Sequence, residues 1–315
     1  MIYTNLYKLS NPIYIINPLN SLFMKKVLFF LMAALALTTV SCKKDGHGDS
    51  TDDTVIAKPT YRVVEINKGD PKNDVYRFEW NTDGTIKTVD LLYDEMSWAK
   101  LEFTYSGKTA TAKNTLTNEE VYVITLNDQK LATKIQNKKG EDFGSFETLE
   151  CTYDKNGFLT SAKVNGKLNT LQVIDENGDI EWWGRIGIAD QVSESTTAPG
   201  WRKKMHTYYG TVNAAGVHGE WNEDTAAKRW LYETNLLGRA SAHVMRTAWW
   251  YGVVDKDNNV VKQEYAAKLA YFPLDVDANN CVKSEKKCYD TKEKYESDPS
   301  TMSAEDPIYF VVEKI

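Results

Sequence analysis

Between Tyr61 and Leu126 apolar and polar residues alternate in short runs, and a turn signal follows almost every run. A period of two sends successive side chains to opposite faces, so Tyr61–Ile66 (YRVVEI) and Val75–Trp80 (VYRFEW) bury an apolar face only as strands. Asn81-Thr-Asp-Gly84 then supplies a positive-φ turn. Thr85–Leu92, Lys100–Tyr105, Lys108–Lys113 and Glu120–Leu126 continue the series. Parallel pairing requires helical crossovers of about ten residues or more, and none is legible here. The predicted fold class is all-β: an antiparallel meander forming an open barrel, roll or curved sheet, with few or no helices.

The second half reads differently. Gly184–Gly200 is polar and punctuated by Gly and Pro, and is expected to connect two regions. Arg202–Thr211, Trp230–Asn235, Ala242–Val254 and Val260–Phe272 read as longer strands, and Ile308–Val312 as a last strand that closes or edges the sheet. Asn222–Trp230 opens with Asn and Asp and ends with Lys and Arg, the polarity of a short helix. The expected division is a β-meander over 60–183, a connection over 184–200, and a Trp-rich β region over 201–315 that continues the same sheet.

Ahead of the strands, Met24–Cys42 (MKKVLFFLMAALALTTVSC) has two lysines, an apolar run from Val27 to Val40, and a small residue before cysteine. The run falls short of the roughly 18 apolar residues a membrane-spanning helix needs. Its three-part layout is that of a secretory signal. Thr39-Val40-Ser41-Cys42 resembles a bacterial lipobox, and that resemblance implies cleavage before Cys42 and a lipid on its thiol. Residues 1–23 then read as an upstream extension from an early start codon, 24–41 as the signal peptide and 42–59 as a flexible tether. Lys44-Asp45, Asp49, Asp52 and Asp53 resemble the acidic signal that sends some Gram-negative lipoproteins to the cell surface. The expectation is an outer-membrane lipoprotein, displayed at the surface rather than on the periplasmic face.

Loss of residues 1–41 removes three lysines and no acid, taking the net charge from −6 to −9. Nucleic-acid binding draws on clustered Lys and Arg, so no nucleic-acid partner is expected. Of the remaining cysteines, Cys281 and Cys288 flank a short lysine-rich stretch that a disulfide would close, with free thiols as the alternative. Cys151 is expected to be a buried apolar residue.

A short unit recurs: Tyr153-Asp-Lys-Asn-Gly157-Phe-Leu159, Ile174-Asp-Glu-Asn-Gly178-Asp-Ile180 and, more loosely, Trp80-Asn-Thr-Asp-Gly84-Thr-Ile86. Each ends one strand, turns, and starts the next. Tyr153–Leu159 resembles the YD repeat of large secreted β-rich shell proteins. The pattern over Tyr61–Trp183 is also similar to families of Gram-negative lipoproteins of unknown function with a porin-like antiparallel β fold, a resemblance that implies no functional residues.

Seven of the nine tryptophans lie between Trp182 and Trp250. In the pairs Trp182-Trp183 and Trp249-Trp250 strand geometry sends the rings to opposite faces. These four rings form either a platform on which sugar rings stack or the lining of a covered core and its rim. No H-E-x-x-H, G-x-S-x-G, P-loop or G-x-G-x-x-G pattern is present, so no catalytic residue and no metal ligand is assigned. His218-Gly-Glu220 reads as a polar turn. Asp255-x-Asp257-x-Asn259 and Asp275-x-Asp277-x-Asn279 open like calcium loops but lack the later glycine and glutamate. Hairpin turns account for them better, with calcium the alternative and no other cofactor expected. The functional expectation is a non-catalytic binding module attached to the membrane through Cys42, with a glycan or an envelope protein as partner. The alternatives are a carboxylate-dependent hydrolase or a structural envelope component.

Overall fold

A computed structural model describes residues 56, 58–69, 74–186, 201–219, 226–254, 260–262 and 269–315. The signal-like stretch, Cys42, most of the tether, residues 187–200, Asn222–Thr225 and the Asp255–Asn259 loop lie outside them.

The meander consists of β1 (Tyr61–Asn67), β2 (Val75–Trp80), β3 (Ile86–Tyr93), β4 (Met96–Ser106), β5 (Thr109–Asn114), β6 (Glu119–Leu126), β7 (Ala132–Asn137), β8 (Thr148–Tyr153), β9 (Leu159–Val164), β10 (Lys167–Ile174) and β11 (Ile180–Ile186). Two long strands follow, β12 (Trp201–Val212) and β13 (His243–Val254). The remaining strands are short: β14 (Val260–Lys262), β15 (Leu269–Tyr271), β16 (Ser284–Glu285), β17 (Cys288–Asp290) and β18 (Ser303–Ala304), before β19 (Ile308–Lys314). All nineteen belong to one antiparallel curved sheet, and β11 pairs directly with β12. From β1 to β13 each strand pairs with its sequence neighbour. At one end of the ladder β13 pairs with β15 and β15 with β17; at the other, β1 pairs with β19 and β19 with β16. The sheet stays open between β16 and β17, which Lys286 and Lys287 alone separate.

Register explains the two faces. Tyr105, Ala110, Ile124, Ile135, Leu149 and Val164 stand opposite one another across six strands, an inward apolar row. The outward row Glu65, Arg77, Asp90, Lys100 alternates in charge. Along this row the described exterior is charged, unlike the apolar band of a lipid-facing barrel.

The turns after β2, β8 and β10 share one backbone construction, and those after β8 and β10 its side-chain bonds as well. In the β8–β9 turn, Asp154 N–H donates to Phe158 O and Gly157 N–H to Asp154 O, while the Asp154 carboxylate accepts from Asn156 and Phe158 N–H. Asn127–Leu131 and Asp277–Cys281 repeat it, with Lys130 and Asn280 at the positive-φ position where the recurring unit has Gly. The Asp277 carboxylate therefore serves its own turn.

Two α-helices are described, both short, α1 (Arg229–Tyr232) and α2 (Lys292–Ser297), beside single 3-10 turns at Glu141–Phe143 and Pro299–Thr301. Trp230–Asn235, expected as a strand, is α1 and the turn after it. Trp230, Leu231, Tyr232, Glu233 and Thr234 are all buried, so no alternation exists for a strand to follow.

Candidate functional site

The chain between β12 and β13 fills the space inside the curve. Ala214, Val217, Trp230, Leu231, Leu236 and Leu237 join the same core as Ile66, Leu101 and Ile124 on the sheet. Backbone bonds sew this plug to the turns of one rim: Ala132 N–H donates to Leu236 O (2.8 Å), Arg239 N–H to Gly157 O (3.0 Å) and Ala242 N–H to Gly178 O (2.9 Å). Tyr153 of the recurring unit donates its hydroxyl to Ala132 O and Leu236 O. Gly238 has φ +97°, and a Cβ there would lie 2.9 Å from Gly157 O, so the close approach requires glycine.

The plug carries charge into the core. Arg229 Nη2 donates to Glu285 Oε2 (3.0 Å) and to His218 O (3.1 Å), and Nη1 to Glu285 Oε1 (3.4 Å). Glu233 Oε1 stands 3.9 Å from Arg229 Nε and accepts from His218 N–H at 3.3 Å. One guanidinium thus faces two carboxylates. Glu285 takes the paired geometry, while burial pushes the Glu233 carboxyl up to about 8, so it holds its proton near neutrality. Burial, and then the nearby Arg229 charge, push the His218 imidazole down to about 3. Its Nε2 is buried without a hydrogen-bond partner.

Two cavities flank this cluster. The smaller, about 40 Å³, is lined by His218, Ser241, His243, Asp275, Ser284 and Glu285 among others. His243 Nδ1 is 2.8 Å from Asp179 Oδ2, and His243 N–H donates to Asp179 Oδ1 (2.8 Å), so one carboxylate fixes the ring. Space of this size holds water and no substrate. The larger, about 330 Å³, opens at the rim where β1 starts. Tyr61, Val63, Trp80, Leu131, Ala215 and Ala240 form its apolar surface, and Lys58, Arg62, Glu233, Asn235 and Arg239 its polar groups. Trp80 is held by its Nε1–H donating to Val63 O (2.9 Å) and by the Arg62 guanidinium 5.6 Å from its ring centre. Glu233 lines the larger cavity and Glu285 the smaller, so the two acids do not share a cleft.

Several expected site residues lie elsewhere. Trp182 is a buried residue, and Trp249 packs against the cluster of Leu269, Cys288 and Met302. Trp183 and Trp250 occupy register positions on either side of Lys204, and their side chains lie outside the described residues. Cys281 and Cys288 are free thiols in two different packing clusters, so the structure has no bridge between them. Cys151 is buried, and burial pushes its thiol up to about 12. Among the described residues no group of three or more metal-ligating side chains converges. Sequence reasoning missed Tyr61, Trp80, Arg229 and Glu233. Trp80 carried a signal, since it opens the loosest copy of the recurring unit.

The sequence matches no protein-family model and no curated protein. Among solved structures it is similar to a porin-like protein from Bacteroides uniformis, at 11% identity and a TM-score of 0.46, covering 80% of this chain and 96% of that one. A porin-like protein from Bacteroides vulgatus is similar at 11% identity and a TM-score of 0.44, covering 79% of this chain and 98% of that one.

Proposed function

We propose that this chain is a cell-envelope lipoprotein, anchored through Cys42 in the outer membrane and displayed at the cell surface. Its folded part is a non-catalytic binding module that takes an acidic glycan in the rim cavity. The observation that carries this reading is the cavity itself. Its volume of about 330 Å³ falls in the range of about 300–1,000 Å³ common for ligand sites, where apolar walls meet a few convergent polar groups. Tyr61 and Trp80 offer ring surface to a sugar, and Lys58, Arg62 and Arg239 offer donors to a carboxylate or sulfate on it. A tether of the length from Cys42 to Lys58 has a root-mean-square reach of about 20–25 Å, which keeps this rim close to the membrane.

A carboxylate-dependent hydrolase is favoured by one observation, the protonated acid Glu233. Against it stand the separate placement of Glu285 and its bidentate engagement by Arg229.

The test is tryptophan fluorescence of the full chain titrated with neutral and uronic-acid-containing polysaccharides, with and without calcium. A saturable change with the acidic members, weakened in Arg62→Gln/Arg239→Gln, is expected. A response retained in that variant but lost in Trp183→Ala/Trp250→Ala would move the site to the Lys204 row. No response to any polysaccharide would overturn glycan binding.

A further inference from the structure

The opposite rim presents a different surface, and it is independent of the cavity. There Tyr93 (58% exposed), Met96 (68%), Trp98 (42%) and Leu116 (54%) stand open to solvent on adjoining turns. Tyr93 and Met96 face each other across the β3–β4 hairpin, whose tip is Asp94-Glu95 with both residues at positive φ. Leu91 pairs with Ala99 and Leu92 with Ser97, which leaves Trp98 as the extra residue of a β-bulge. Bulges re-aim side chains, and this one lays Trp98 against Phe143, ring centres 5.5 Å apart, at the end of the core. The Leu116 turn is fixed to the same strand, with Thr115 N–H donating to Lys100 O at 2.8 Å.

Acidic residues surround these side chains. Asp94 and Glu95 separate Tyr93 from Met96, and Glu141 and Asp142 directly precede Phe143. All four are exposed, and among the described residues none has an ion-pair partner. Glu119 is paired with Lys139 at 2.5 Å, and Lys138 is the exposed counter-charge beside them.

We propose that this rim docks a basic polypeptide segment of a partner protein, with an apolar side chain of that segment seated on Trp98 and Met96. The sign of the charge selects the occupant. Envelope lipids and nucleic acids are anionic and would be repelled. A second copy meeting the same rim would bring like carboxylates together. Aromatic and methionine side chains are enriched at interface centres, with a polar rim around them.

The probe is a short labelled peptide alternating lysine and leucine, with a glutamate–leucine peptide as control, titrated by fluorescence anisotropy against the full chain at low and physiological salt. The lysine peptide is expected to bind and the control not to. Affinity should fall about tenfold or more both in Met96→Ser/Trp98→Ser and in Glu141→Lys/Asp142→Lys. Glu102→Lys/Glu150→Lys on the outer wall should leave it unchanged. Circular dichroism melts establish that each variant is folded. Absence of binding, or binding reduced by the charge changes and indifferent to Trp98, would overturn the proposal. So would sedimentation showing self-association of the full chain that Trp98→Ser abolishes, which would make a second copy the occupant.

Discussion

The wall and the plug solve the same burial problem by opposite means. Along the wall, period-two alternation sorts residues: the row from Tyr105 to Val164 goes inward, and the charged row from Glu65 to Lys100 stays in water. The plug encloses Arg229, Glu233 and His218 within the core, where Arg229 and Glu233 find partners by position instead of in solvent and the His218 imidazole stays neutral. The wall therefore tolerates loss of an ion pair, because water replaces the partner, and the plug does not.

The largest expected effect follows from that contrast. Arg229→Ala would leave the largely enclosed Glu285 side chain, 10% exposed, without its partner and is expected to cost about 3 kcal/mol in urea unfolding. Arg77→Ala, which breaks an exposed pair with Glu65 at 2.9 Å, should cost about 1 kcal/mol or less. Equal costs would erase the distinction.

Glycines sharpen it next. Gly238→Ala forces both a positive φ and a clash with Gly157 O, with an expected loss of about 1–3 kcal/mol. Gly84→Ala meets the same φ penalty in open space and should cost about 1 kcal/mol. Chemical denaturation of the two variants gives the difference directly.

The pH profile tests the plug alone. Glu233 keeps its proton in the folded chain up to about pH 8 and releases it unfolded near 4.5, so this group's contribution declines as pH rises through that interval. His218 stays neutral when folded down to about pH 3 but takes a proton unfolded near 6.5, so its contribution declines as pH falls between those values. Between about 4.5 and 6.5 the two slopes oppose each other. The unfolding midpoint should be flat there and fall on both sides. Glu233→Gln should flatten the alkaline limb and leave the acid limb in place, and an unchanged alkaline limb would contradict the assignment.

The smallest effect belongs to the wall. Lys130 holds φ +65° in a turn otherwise like the glycine-bearing ones. Lys130→Gly should raise stability by about 1 kcal/mol, read as a shift in thermal midpoint; Gly would be neutral or harmful if the turn were strained elsewhere.

These contrasts also explain what could be read before the fold was known. The strands from Tyr61 to Leu126 were legible because each has one wet face. The turns at Gly84, Gly157 and Gly178 announced themselves by glycine. The one at Lys130 did not, since a residue forced into positive φ leaves no compositional mark, while the one at Asn280 was legible from the aspartates before it. Trp230–Asn235 misled because total enclosure removes periodicity, so hydrophobic residues in sequence imply neither strand nor helix. Trp98 was hidden by a one-residue bulge that appears only once its neighbours pair. The cavity side chains come from the stretch before β1, from β1, β2, the turn before β7, the plug and Ile315, a convergence that spacing along the chain does not encode.

The pairing of β1 with β19 fixes when this molecule can become itself. Arg62 meets Glu313 across 251 positions of sequence, and Glu285, which Arg229 holds, sits where the two ends of the ladder meet. The first strand therefore has no neighbour on that side until β19 docks, and long-range closures of this kind are slow.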